Sequence, residues 1–183
     1  MKTAVIYASK TGFTKKYAEW ISEELTADMF ELSEISIDKL VNYDTIIFGG
    51  GLYAVGINGI NIITKNFEKL KDKKIVVFAT GVSPSREEAI IEIKNKNLPG
   101  EMQKSIKYFY LRGGFEYRRL KSLDKLLMTL LKWKISAKKI LRMKLIPDER
   151  GMLAAYDVPL DFTRRKNIRA LVNYVRFKDS SAS

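Results

Sequence analysis

Tyr7-Ala8-Ser9-Lys10-Thr11-Gly12-Phe13-Thr14 joins an apolar, β-favouring run (residues 4–8) to a segment of helical periodicity (residues 13–25). In that segment Tyr17, Trp20, Ile21 and Leu25 recur on one face between charged positions. A strand that runs through a hydroxyl-rich turn into a helix is a ready anion site. Ser9, Thr11 and Thr14 offer three hydroxyls, the first helical amides add donors, and the helix dipole favours a dianion. Gly12 lets the backbone turn closely around a phosphate. Residues Ser9, Lys10, Thr11, Gly12, Phe13 and Thr14 are therefore expected to form a phosphate cradle. The alternative is a serine- and threonine-rich turn with an ordinary helix cap.

Outward from this turn the chain alternates strand and helix. Strands are expected at residues 29–32, 44–48, 74–80 and 106–111, and helices at 60–70, 86–95 and 161–177. Ser83 or Ser85 is expected to cap the second of these helices and Asp161 the last. The strand at residues 4–8 and that at 74–80 are apolar without alternation, the pattern of strands covered on both faces. Such an order implies βαβ units and one doubly wound parallel sheet of five strands. Ligands of such sheets sit beyond the carboxyl ends of the strands, where the strand order switches. The turns after three strands, Ser9–Thr14, Gly49-Gly50-Gly51 and Gly81-Val82-Ser83-Pro84, would gather at that rim. Three glycines would let a flat ring approach the backbone, and Tyr53 would stack on it. Gly49-x-Gly51-Leu-Tyr-Ala54 also satisfies a relaxed dinucleotide fingerprint, but mid-sheet and ending in alanine; no P-loop pattern is present.

The 183 residues fit one domain, 1–183, and 46% are hydrophobic, so a substantial core is expected. There is no cysteine and no histidine, which excludes disulfides, thiolate nucleophiles and the commonest acid–base and metal-ligating groups. Hard chemistry would then come from carboxylates, lysines, tyrosines or a borrowed cofactor, of which a cofactor is the natural candidate. No secretory leader or bilayer-length apolar stretch is read, and a cytoplasmic location, peripheral at the inner face of the membrane, is expected. The formal charge is +12. Residues 112–144 hold eleven Lys or Arg against Glu116 and Asp124, so the excess is concentrated there. An anionic partner is implied. Residues 178–183 are expected to fray.

The turn Tyr7–Thr14 resembles the flavodoxin phosphate loop, Ser/Thr-x-Thr-Gly-x-Thr. Asn42-Tyr43-Asp44, the following strand and the glycine run are similar to that family's second flavin loop, and residues 79–84 fall where its third lies. The resemblance implies the flavodoxin-like α/β fold, a doubly wound five-stranded parallel sheet of order 2-1-3-4-5 with helices on both faces. It implies FMN as cofactor. The loop 9–14 would hold the phosphate; Gly51, Leu52, Tyr53 and Ala54 would line one side of the ring, with Thr80, Gly81, Val82 and Ser83 at its other edge. Gly113-Gly114-Phe115-Glu116-Tyr117-Arg118, the basic stretch after it and the final helix resemble the menaquinone-dependent protoporphyrinogen oxidases. Those carry a basic helical insertion and are membrane-associated. Here the insertion would occupy about residues 115–145, with Leu123, Leu126, Leu127, Leu130, Leu131 and Trp133 forming an apolar stripe.

That stripe either lies on an anionic membrane surface or packs on the domain while its lysines face water. Three functions follow: an FMN-dependent oxidoreductase linked to a quinone or porphyrinogen, an electron carrier docking an acidic partner protein, or an anionic-surface or nucleic-acid module without redox work. Nucleic acid is disfavoured, because Trp133 is the only aromatic of the basic stretch 120–145, among many leucines. No dedicated catalytic acid or base is read; Glu116, Tyr117 and Arg118 are candidate substrate contacts. No metal site is expected.

Overall fold

The computed structural model describes residues 2–53, 55–84, 86–120, 122–141, 144, 153, 156 and 158–177; at 122–124, 127 and 139 it describes the backbone alone. Ala54, Ser85, Leu145 and the tail 178–183 therefore lie outside the described residues, as do the side chains of Leu123 and Leu127.

Strand β1 (Thr3–Ala8) runs into helix α1 (Phe13–Leu25), then β2 (Asp28–Glu31), α2 (Ile37–Leu40) and β3 (Thr45–Tyr53). There follow the two-residue β4 (Gly56–Ile57), α3 (Asn61–Thr64), α4 (Phe67–Leu70), β5 (Lys74–Gly81), α5 (Glu87–Asn97), α6 (Met102–Ser105) and β6 (Ile106–Arg112). Five strands pair in parallel in the order β2-β1-β3-β5-β6, and β4 folds back antiparallel on the end of β3. Counting the parallel strands alone, this is the expected 2-1-3-4-5 order.

The uninterrupted apolar character of the inner strands has a direct cause. Val5, Tyr7, Ile47, Val76 and Phe78 face one side, where Tyr17, Ala18 and Ile21 of α1 join Leu171, Val172 and Val175 of the last helix, α8 (Arg169–Arg176). Their neighbours Ala4, Ile6, Ile46, Phe48, Ile75 and Val77 face the other side, against Leu40, Ile63, Leu70, Ile93 and Leu98. Both faces are buried, so neither set can be polar. Each such Val, Ile or Phe contributes about 1.5–3 kcal/mol of burial.

Several boundaries differ from the sequence expectation for local reasons. Strand β3 does not stop at Phe48 but continues through the glycines to Tyr53. Residues 60–70 form two short helices and not one. The run Ile60 to Thr64 is rich in β-branched residues, and Asn66 leaves the helical region (φ −114°) while its amide donates to the Ile62 carbonyl at 2.9 Å. Helix α5 begins after Arg86 with no side-chain cap, so Ser83 does not cap it. Asp161 does not cap the final helix either. Its carboxylate accepts from the Thr163 amide (2.8 Å) and hydroxyl (2.6 Å), and a 3₁₀ turn over Arg165–Ile168 precedes α8.

The insertion expected at about residues 115–145 is bordered by two short strands. The chain leaves the domain at β7 (Gly114–Phe115) and returns at β8 (Leu160–Asp161), which pair antiparallel. Between them stands α7 (Ser122–Ile140). The root of the insertion is seated on α1: a Cβ on Gly114 would meet the Phe13 ring at 2.5 Å, and Lys16 pairs with Asp161 at 3.1 Å.

Candidate functional site

In a sheet ordered β2-β1-β3-β5-β6 the direction of winding reverses between β1 and β3, which opens a crevice past their carboxyl ends. The loop Ser9–Gly12 lies at this point, directly before α1. Gly12 takes φ +93°, a left-handed conformation strained for any other residue, and its carbonyl receives the first helical bond, from Lys16 N–H at 3.0 Å. The Ser9 hydroxyl accepts from the Gly12 amide at 3.0 Å, holding the loop tightly curled at the helix N-terminus. Thr14, the second residue of α1, is buried and its hydroxyl lies 2.7 Å from that of Thr80 at the end of β5. Two hydroxyls carry two protons and this bond uses one; the other remains to be donated to a third group. Loops 66 residues apart in sequence are thus joined at one point.

Gly51 occupies the middle of the rim. A Cβ there would lie 3.5 Å from the Thr14 hydroxyl, 3.9 Å from that of Thr80 and 4.0 Å from the Tyr53 ring. The other two glycines of the run serve packing. A Cβ on Gly49 would sit 2.1 Å from Phe78 Cζ, and one on Gly50 2.5 Å from the Asn58 carbonyl oxygen. The expectation that all three let a ring approach is therefore corrected: the chain's own side chain and backbone fill two of those spaces. Leu52 and Tyr53 pair with Ile57 and Gly56, and the resulting bend is clamped by Asn97, whose amide accepts from Ile57 N–H (2.8 Å) and donates to the Val55 carbonyl (2.6 Å). Tyr53 is partly exposed, and the Lys10 ammonium sits 4.1 Å from its ring centroid, so the first and second loops touch across the crevice.

The third loop is fixed from behind. Tyr110 donates to the Ser83 carbonyl at 2.7 Å, and burial pushes its phenol up to about 12, so it stays a donor at neutral pH. Arg112 Nε donates to the Val82 carbonyl at 3.1 Å, and Gly113 N–H to the Gly81 carbonyl at 2.7 Å. The Tyr17 hydroxyl, raised chiefly by burial, donates to the Arg112 carbonyl at 2.7 Å and receives Asn167 at 2.7 Å.

Of the residues expected to form the site, Ser9, Lys10, Thr11, Gly12, Thr14, Gly51, Tyr53 and Thr80 come together at this rim, with Leu52, Gly81, Val82 and Ser83 around it. Phe13 is different: its side chain is buried beneath the β7–β8 pair, leaving only its backbone to the loop. Tyr43 and Asp44 belong to the scaffold, since Tyr43 is buried and donates to Asp28 at 2.8 Å while Asp44 receives the Lys2 amide at 2.6 Å. Tyr117 bonds Thr129 of α7 at 2.6 Å, and Glu116 pairs with Arg119 at 2.6 Å, so both organise the insertion. Sequence reasoning missed Tyr110, Arg112, Asn97 and Arg119. Arg119 Nη1 lies 3.4 Å from the Thr11 carbonyl, on the phosphate-type loop itself.

The donor set fits a phosphate monoester carried by a flat ring system: a curled loop at a helix N-terminus, a hydroxyl pair with a proton to give, and a side-chain-free Gly51 between them. A family model described as flavodoxin domain matches residues 4–140. An uncharacterized protein of Methanocaldococcus jannaschii is 36% identical over 87 residues, 46% of this chain and 57% of that protein, so the chain spans little more than half of its length. Among solved structures, the Trp repressor binding protein from Bacillus subtilis is 17% identical with a TM-score of 0.47, over 61% of this chain and 83% of the other. A flavoprotein in complex with FMN from Lactobacillus acidophilus NCFM is 19% identical with a TM-score of 0.40, over 61% and 91%. The extent of the family match decides the assignment, and the chain belongs to the flavodoxin domain family, whose cofactor is FMN.

Proposed function

We propose that the chain is an FMN-dependent oxidoreductase that works against an anionic membrane surface and passes electrons to a quinone-type acceptor. The observation that carries the cofactor is the convergence of the Ser9–Gly12 loop, the Thr14–Thr80 hydroxyl pair and Gly51 at one crevice. Ser9, Thr11, Gly12 and Thr14 would hold the phosphate, and Gly51, Tyr53 and residues 80–83 would border the ring. When bound, FMN supplies the uptake and release of one or two electrons. The chain's own part is positioning. Tyr110 and Arg112 hold the Ser83 and Val82 carbonyls from outside, and Asn97 holds the Tyr53 bend, so the crevice walls are set in advance.

The membrane reading rests on α7. Leu126, Leu130, Trp133, Ile140 and Leu141 are all more than half exposed, with Trp133 at 68% and Ile140 at 80%. At helical spacing they form one stripe, bordered by Lys125, Lys132, Lys134 and Lys138. An exposed apolar stripe between lysines suits the boundary between headgroups and acyl chains. The opposite side is anchored: Ile135 is buried, and Tyr156, ringed by Phe115 and Tyr117, donates to the Met128 carbonyl at 2.6 Å. Leu126 and Leu130 thus leave about half of their surface open. Among the described residues no helix is long and apolar enough to cross a membrane.

Turnover separates an enzyme from a carrier. FMN-loaded protein kept under anaerobic conditions with an excess of chemical reductant should reduce many equivalents of a soluble quinone, faster than the reductant alone and without any added protein. Porphyrinogen oxidation is the companion assay for the resemblance of the basic insertion. Reoxidation that requires a second protein would favour the electron-carrier reading.

A further inference from the structure

We propose that Arg119, carried by the inserted segment, is a phosphate ligand of the cofactor and couples that segment to the state of the phosphate loop; this rests on the FMN reading above. The loop's own donors, the hydroxyls and amides of residues 9–14, are neutral. Its one cation, Lys10, has its ammonium over the Tyr53 ring. The guanidinium of Arg119 lies on the loop instead: Nη1 is 3.4 Å from the Thr11 carbonyl and 3.3 Å from where a Cβ on Gly12 would stand.

Its orientation is set locally. Glu116, one 3₁₀ turn earlier, grips Nε at 2.6 Å, which turns the Nη edge toward the loop. A guanidinium has five donors in a planar fork, so the Nη edge can meet phosphate oxygens while Nε stays with the carboxylate. The contact with the Thr11 carbonyl is long, near the limit of a hydrogen bond, and is readily exchanged for a charge-assisted one. Glu116 is an acid close to the same loop, and its pairing with Nε keeps that charge compensated. The turn Tyr117–Arg119 leads directly into α7, to which Tyr117 is bonded through Thr129 at 2.6 Å. A phosphate that draws in Arg119 therefore pulls on the root of the basic helix.

The test is a titration of the protein with FMN and with riboflavin, which lacks the phosphate, followed by quenching of flavin fluorescence. In R119A, FMN should bind roughly ten- to hundredfold more weakly, the span of one hydrogen bond to a charged group, while riboflavin affinity stays unchanged. R119K should recover part of the loss, and the salt dependence of FMN affinity should flatten in R119A. Equal weakening for both flavins would make Arg119 a support of the loop and overturn the proposal. A wild-type protein that takes up FMN while R119A matches it would overturn this inference alone. A wild-type protein that takes up neither flavin would overturn the cofactor reading with it.

Discussion

Gly49 and Thr14 show how differently two residues of the same rim are constrained. At Gly49 the space for a side chain is already filled by the Phe78 ring, so the glycine is a packing requirement of β3 against β5. We expect Gly49→Ala to destabilise the fold by about 1–3 kcal/mol in urea unfolding, the usual cost of overpacking. Thr14 is buried beside Thr80, and Thr14→Val keeps the shape but removes the hydroxyl. That variant should lose about 1 kcal/mol of stability and bind FMN roughly tenfold more weakly, measured by denaturation and by flavin titration. The spacing Ser9-x-Thr11-Gly12-x-Thr14 was legible in the sequence because its contacts are local, from Ser9 to Gly12 and from Gly12 into α1. Thr80 as the partner of Thr14, and Arg119 as the partner of Thr11, were not: those pairs are 66 and 108 residues apart, and no periodicity encodes them.

Among the elements, the parallel strands were readable because burial on both faces leaves only apolar residues to choose from. Helix α1 was found from Tyr17, Trp20, Ile21 and Leu25 recurring on one face. The helix at residues 60–70 was misread, since its apolar stripe, Ile60, Ile63 and Leu70 all buried, persists through the break at Asn66. Periodicity reports which face is buried and not whether the backbone is continuous. The insertion was seen as basic and amphipathic, but its limits at β7 and β8 rest on an antiparallel pair invisible to spacing. For α7 we expect binding to phosphatidylserine-containing vesicles that weakens steeply with added salt and is absent with neutral lipid. In a Trp20→Phe background the emission of Trp133 should shift to the blue on binding. Leu130→Glu with Trp133→Glu should abolish binding and leave bound FMN unchanged; loss of the flavin in that variant would show that α7 supports the crevice instead.

For the molecule as a whole, the lack of histidine has a consequence for pH. No side chain with an ordinary titration near neutrality is present, so stability should vary little across pH 6–8. The alkaline side is different. Tyr43 is pushed up to about 12, first by burial and then by its bond to Asp28, and burial also pushes Tyr110 up to about 12. A raised tyrosine binds its proton more tightly folded than unfolded. Its stabilisation is complete below the ordinary value of 10.0 and is lost as pH rises toward 12. Unfolding midpoints should therefore fall from about pH 10 upward, and less so in Tyr43→Phe. On the acid side, burial opposes ionisation of Asp161, but hydrogen bonds from Thr163 and Lys16 outweigh it and lower its carboxyl, so this tie between β8 and α1 weakens as pH falls below the ordinary carboxylate value. The fold opens one crevice where β1 and β3 diverge, and whether it holds FMN is tested most directly by the visible absorbance of the purified protein. The spectrum should be recorded before and after FMN is added and the excess removed. The account requires that wild-type protein retain about one flavin per chain, with bands shifted from those of free FMN, and that a Thr14→Val, Thr80→Val double variant retain far less. A folded wild-type protein that leaves all of its FMN in the filtrate would contradict it.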